Sequence, residues 1–166
     1  MHTTRDSTRA GGTSAERISD RELLASRVIN GPARIVYDAW TKPELFRQWW
    51  LPKSFPITLT ACELDVRVGG GYRLVFGHEG SSAEFFGRYL EVSPGSRLVW
   101  TNDESDNGQV TTVTFTESDG QTLVTVHDRF PSKEALDAEI ESGSTGAMPE
   151  QLAQLDELVA GLVSPE

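Results

Sequence analysis

A chain of 166 residues and 18.2 kDa is the size of one ordinary domain, long enough to bury roughly 70% of the surface its unfolded form exposes. A single cysteine, Cys62, excludes an intrachain disulfide framework and fits a reducing compartment, and no apolar run approaches the ~20 residues of a bilayer span. Fifteen basic against 25 acidic residues, a net charge of -10, disfavour nucleic acid and anionic membrane as partners, leaving an acidic cytoplasmic domain.

Residues 1–21 are Ser/Thr/Gly/Arg-rich, lack an apolar signal core and read as a disordered tail ahead of one domain over 22–166. ELLASRVIN, from Glu22 to Asn30, predicts a first strand stopped by Gly31-Pro32. Pro32 fits the first position of a helix over ARIVYDAW. Thr41 is placed to cap a second short helix, PELFRQWW, with Pro43 in its opening turn. Six strands are expected next: Ile57 to Val66, Gly71 to His78, Ser82 to Val92, Arg97 to Asn102, Val110 to Thr116 and Thr122 to Phe130. The Gly-, Pro- or Asp-rich breaks between them are short, which makes the strands antiparallel neighbours. Gly69-Gly70-Gly71 reads as a tight turn or bulge, because neither the Lys-Ser/Thr nor the helix of a phosphate loop follows.

Ser132 can cap a helix over SKEALDAEIE, and Ser142 to Gly146 breaks it from the last one. There Met148, Leu152, Leu155, Val159 and Leu162 form one apolar stripe, with Glu150, Gln154, Asp156 and Glu157 elsewhere. From Pro149 to Val163 that helix runs roughly 22 Å at ~1.5 Å per residue, enough to cross a sheet. Between Glu117 and Glu166 eleven acidic residues face only Arg129 and Lys133, which we read as the solvated side of C-terminal helices. The order of elements predicts an α+β fold in which one antiparallel sheet of about seven strands grips one long helix.

Four segments in this order resemble one family. VYDAWTKPELFRQWWLP (Val36 to Pro52) is similar to the opening of the START-like, or SRPBCC, domains of the activator-of-heat-shock-protein-90-ATPase homologue family. ELDVRVGGGYRL (Glu63 to Leu74) resembles its acidic-x-Asp-x-Arg-x-Gly-Gly strand pair, GRYLEVSPGSRLVWT (Gly87 to Thr101) its Gly-x-Tyr, Pro and Leu-Val pair, and STGAMPEQLAQLDELVAGL (Ser144 to Leu162) its closing helix. The resemblance implies a helix-grip fold, a curved seven-stranded sheet around the C-terminal helix, with a cavity between them that commonly holds an apolar small molecule, lipid or polyketide-like compound. Some relatives use it for cyclisation or hydrolysis. Many carry Gly-Trp before the closing helix, where this chain reads Gly146-Ala147-Met148, a change that reshapes the cavity mouth.

The chemical inventory is small. His78 and His127 lie far apart and no His-x-x-x-His or Cys-x-x-Cys spacing exists, so neither a metal nor another cofactor is expected. No Gly-x-Ser-x-Gly elbow holds a nucleophile. Along the last strand Val124, Val126, Asp128 and Phe130 share a face while Leu123, Thr125 and His127 point the other way. The apolar set should face the long helix, which turns Asp128 inward as the one catalytic candidate, a general base or a ligand anchor; the plainer alternative is a place at the strand's mouth, paired with an arginine. The cavity is expected to be lined by Trp40, Trp49, Trp50, Tyr72, Leu74, Phe76, Phe86, Trp100, Val126, Asp128, Phe130, Met148 and Leu152. The reading is a binding module for an apolar small molecule, with a homodimer as the default assembly. A cavity-based cyclase or hydrolase and a protein-interaction or co-chaperone-like role are the alternatives.

Overall fold

The computed structural model describes residues 7–10, 13–54, 57–103, 108–142 and 148–163. In chain order these form β1 (Ser7–Ala10), β2 (Thr13–Ser19), β3 (Glu22–Ile29), α1 (Ala33–Thr41), α2 (Pro43–Trp49), β4 (Thr58–Leu64), β5 (Gly71–His78), β6 (Ser81–Ser93), β7 (Arg97–Asn102), β8 (Gln109–Ser118), β9 (Gln121–Arg129), α3 (Lys133–Ser142) and α4 (Met148–Val163). The strands make one antiparallel sheet in the order β1-β2-β3-β9-β8-β7-β6-β5-β4. Hairpin chemistry explains its tightest corners. Glu79-Gly80 and Asp119-Gly120 both hold positive φ, the pairing whose twist suits a two-residue hairpin.

The sheet bends where β6 changes partners. Its first half pairs with β5 as far as Arg88 and its second half with β7 from Tyr89, so the change of partner comes just after Gly87. A Cβ at Gly87 would lie 2.0 Å from the Thr101 carbonyl oxygen, so only glycine permits this approach. Beyond it a register shift between Tyr89 and Glu91 adds curvature. The concave face thus formed takes α4, whose Leu152, Leu155 and Val159 are fully buried, each contributing roughly 1.5–3 kcal/mol. Asp156, on the same helix, accepts the Asn30 backbone N–H at 3.0 Å and pairs with Arg27 at 3.2 Å, fixing α4 against β3.

Four expectations are corrected. The segment read as a disordered tail carries β1 and β2, and the sheet has nine strands among the described residues rather than about seven. β2 covers the otherwise open edge of β3, with Ala15 opposite Ala25 and Arg17 opposite Leu23. Main-chain hydrogen bonds to an exposed edge order a segment that is poor in large apolar side chains. Thr41 does not cap α2: its hydroxyl turns back to the Tyr37 carbonyl at 2.9 Å, and α2 starts at Pro43 with no side-chain cap. The capping at this corner comes from β8, where Glu117 accepts the Ala33 N–H at 2.9 Å and places its charge at the start of α1. Gln154, assigned to the polar side of α4, is only 8% exposed. Ser132 does cap α3, accepting the Ala135 N–H at 3.0 Å. Gly146 and Ala147 lie outside the described residues. No helix among those residues is long and apolar enough to cross a membrane.

Candidate ligand-binding cavity

The grip of the sheet on α4 is closed along the helix middle and open under its first turn. There the concave face, the α1–α2 corner, α3 and the start of α4 enclose a cavity of about 770 Å³. Alternation along the strands supplies its floor. Tyr72, Leu74 and Phe76 project from β5, Trp100 from β7, and Val126 and Asp128 from β9. The corner contributes Trp40, Phe46 and Trp50, with the Trp40 ring 6.1 Å from Trp50 and 5.9 Å from Trp100. Phe130 and Ile140 close the end beneath α3, and Met148 and Gln151 the side beneath α4.

Thus Trp40, Trp50, Tyr72, Leu74, Phe76, Trp100, Val126, Asp128, Phe130 and Met148 come together at one cavity. Trp49, Phe86 and Leu152 do not border it. Adjacent helical residues diverge by about 100°, so with Trp50 on the wall Trp49 turns into the core, where it is 0% exposed and its indole N–H donates to the Ala39 carbonyl at 2.9 Å. Phe86 lies opposite Arg73 in the sheet register, on the convex face, and is 40% exposed. Leu152 is sealed against the sheet in the closed part of the grip.

One end of the cavity is polar. Asp128 Oδ1 accepts the Gln109 side-chain N–H at 3.2 Å and the Thr111 hydroxyl. Thr111 Oγ1 in turn accepts Asn102 Nδ2 at 3.0 Å. Asn102 Oδ1 lies 3.3 Å from the Tyr72 hydroxyl, which donates to the Thr101 carbonyl at 2.7 Å. Five side chains from four strands therefore form a continuous hydrogen-bonded run. The register builds it: Asp128 sits opposite Thr111, Thr111 opposite Trp100, and Asn102 opposite Gln109. Burial pushes the Asp128 carboxyl above its ordinary value, the Thr111 and Gln109 bonds oppose that rise, and the nearby Glu139 charge adds to it. The carboxyl is half-buried, and the surface it keeps faces the cavity. His127 points to the other side and meets Glu22 at 3.0 Å. Burial likewise holds the Tyr89 phenol well above its ordinary value.

Gln109, Thr111 and Asn102 were not singled out in the sequence. The signal was there in part, since Thr111 shares a face with Val113 and Phe115; the pairing of Asn102 with Gln109 depends on the register of β7 against β8.

A curved antiparallel sheet wrapped on a C-terminal helix, with an apolar cavity between them, defines a START-like helix-grip protein, a scaffold suited to holding a ligand. The chain belongs to the Activator of Hsp90 ATPase homolog 1-like protein family, whose model matches residues 30–160. Solved structures agree. A Nitrosomonas europaea protein is 23% identical with a TM-score of 0.80, covering 89% of this chain and 99% of its own. A Rhodobacter sphaeroides protein is 24% identical with a TM-score of 0.82, covering 90% and 99%. The AHSA1-like protein of Aeromonas hydrophila is 21% identical with a TM-score of 0.64, covering 84% and 93%. Identities of this size show the fold alone. No curated protein matches the chain.

Proposed function

We propose that the protein is a binding module that holds an apolar small molecule, lipid- or polyketide-like, in this cavity without covalent chemistry. The supporting observation is the cavity itself: about 770 Å³, walled chiefly by aromatic and aliphatic side chains, with the linked Asp128, Thr111, Gln109 and Asn102 side chains at one end. Volumes of roughly 300–1,000 Å³ are those of small-molecule sites. Each 100 Å² of apolar wall covered by ligand instead of water contributes roughly 2.5 kcal/mol. The test is native mass spectrometry of freshly purified protein, followed by denaturing extraction of any released compound. An adduct that disappears on unfolding supports the reading, and the same spectrum gives monomer or homodimer. Protein that carries no adduct and leaves the neutral dye Nile red unbound overturns it.

A second reading, a cavity-based cyclase or hydrolase, is favoured by one observation: Asp128 faces the cavity with its carboxyl raised by burial, which suits a general base. Unchanged turnover of an identified substrate by Asp128→Asn would exclude Asp128 from that role.

A further inference from the structure

The polar end of the cavity is rich in acceptors and poor in free positive charge. Its acidic groups are Asp128 and, at the margin, Glu16 and Glu139. Arg17 is the one basic side chain bordering the cavity among the described residues, and all three of its guanidinium nitrogens are engaged elsewhere. One meets Asp137 of α3 at 2.9 Å, another donates to the Ser19 carbonyl at 3.2 Å, and the third to the Asp20 carbonyl at 2.9 Å. The Gln109 and Asn102 carboxamides already donate into the run, to Asp128 and Thr111. Both bonds received by Asp128 fall on Oδ1; among the described residues Oδ2 has no donor. A ligand carboxylate, phosphate or sulfate placed at this end would meet the Asp128 carboxylate, and among the described residues bordering the cavity no cation is left to offset the two charges. A hydroxyl or an ammonium group would supply the donor that Oδ2 accepts.

Resting on the binding reading above, we infer that the ligand is an apolar molecule whose polar end donates hydrogen bonds and carries no negative charge, an alcohol or amine seated on Asp128. Fatty acids and other apolar anions are excluded by the same geometry.

The test uses one ring system with four ends: anthracene, 9-anthracenylmethanol, 9-anthracenylmethylamine and anthracene-9-carboxylate, titrated at neutral pH into the full-length protein. The readout is the change in probe fluorescence and in emission from the cavity tryptophans. The alcohol and amine should bind at least about tenfold more tightly than the carboxylate, roughly the effect of one charge-assisted hydrogen bond. In Asp128→Asn that separation should shrink to about threefold or less, with the amine losing most. A carboxylate that binds wild-type protein as tightly as the alcohol overturns the inference and leaves the binding reading standing. If even unsubstituted anthracene and Nile red fail to bind, the binding reading fails and this inference with it. Should Asp128→Asn not fold, the wild-type ranking alone decides.

Discussion

The Gln154 carboxamide on α4 donates to the main-chain carbonyl of Trp49 at 2.9 Å, tying the C-terminal helix to the end of α2. The same nitrogen lies 2.8 Å from the Leu51 carbonyl, and Oε1 accepts the Lys53 N–H at 2.8 Å. One buried side chain therefore satisfies the orphaned backbone of the stretch that leaves the helical corner. A turn earlier Gln151 does the same for the Trp50 carbonyl. These bonds hold the corner over the cavity, so the wall made by Trp50 depends on polar groups of a helix whose sequence shows mainly an apolar stripe.

Gln154→Leu should accordingly destabilise the fold although it adds apolar surface. It strands buried carbonyls and an N–H, each costing about 1–3 kcal/mol when left unpaired, and a total near 2–4 kcal/mol is expected. Urea unfolding measures it. A neutral or stabilising result would mean that water replaces the carboxamide.

The two adjacent tryptophans should separate stability from binding. Trp49→Phe removes the donor to the Ala39 carbonyl and part of a filled core, and should lower stability by about 2–3 kcal/mol while leaving Nile red affinity within about twofold. Trp50→Ala opens the wall beside Phe46, whose ring stacks on it at 4.7 Å. It should weaken the dye by about fivefold or more at a smaller cost in stability. Equal effects of the two substitutions on dye binding would contradict the placement of Trp49 in the core.

Alternation and spacing made most of this architecture legible. β5 and β7 fall where the turn residues place them, and of the apolar stripe Leu152, Leu155 and Val159 are the gripped face of α4, while Leu162, its last member, is exposed. Period-two reasoning also turned Asp128 inward and His127 outward. What escaped depends on partners distant in the chain. The plainer alternative put Asp128 at the strand's mouth, paired with an arginine, yet the register brings it Thr111 and Gln109 instead. β2 lacks the apolar pattern of a strand because it is recruited by the otherwise open main chain of β3, which no local composition reports. Phe86 was misplaced because the face of a strand that bends in its middle cannot be read from aromatic content.

That bend is testable. In Gly87→Ala the new methyl would sit 2.0 Å from the Thr101 carbonyl oxygen and 2.9 Å from the Tyr72 ring. Backbone on one side and a packed ring on the other leave no room to relax, so a loss of about 3 kcal/mol or more, or failure to fold, is expected. Gly80→Ala provides the contrast. Its φ is +84° but open space surrounds the Cβ, and about 1 kcal/mol should be lost. Similar losses at the two sites, seen by thermal or urea unfolding, would remove the close approach at Gly87 as the cause.

The ionisation of Asp128 should appear in the pH dependence of stability. Burial raises its carboxyl in the folded chain above the ordinary 3.8 of the unfolded one. As pH rises the unfolded state therefore ionises first, and between the two values the native state holds more protons. Stability is lost across that window, and at higher pH the native protein carries a charge it would be more stable without. Asp128→Asn keeps the shape and an acceptor for Thr111 and Gln109 while removing the charge. The variant should therefore melt at a higher temperature than wild type at pH 7.5, by a smaller margin at pH 4.5, and with no margin once both states of the wild type are protonated. Melting curves at these pH values measure the difference. A variant less stable than wild type at pH 7.5 would mean that the two charge-assisted bonds outweigh burial.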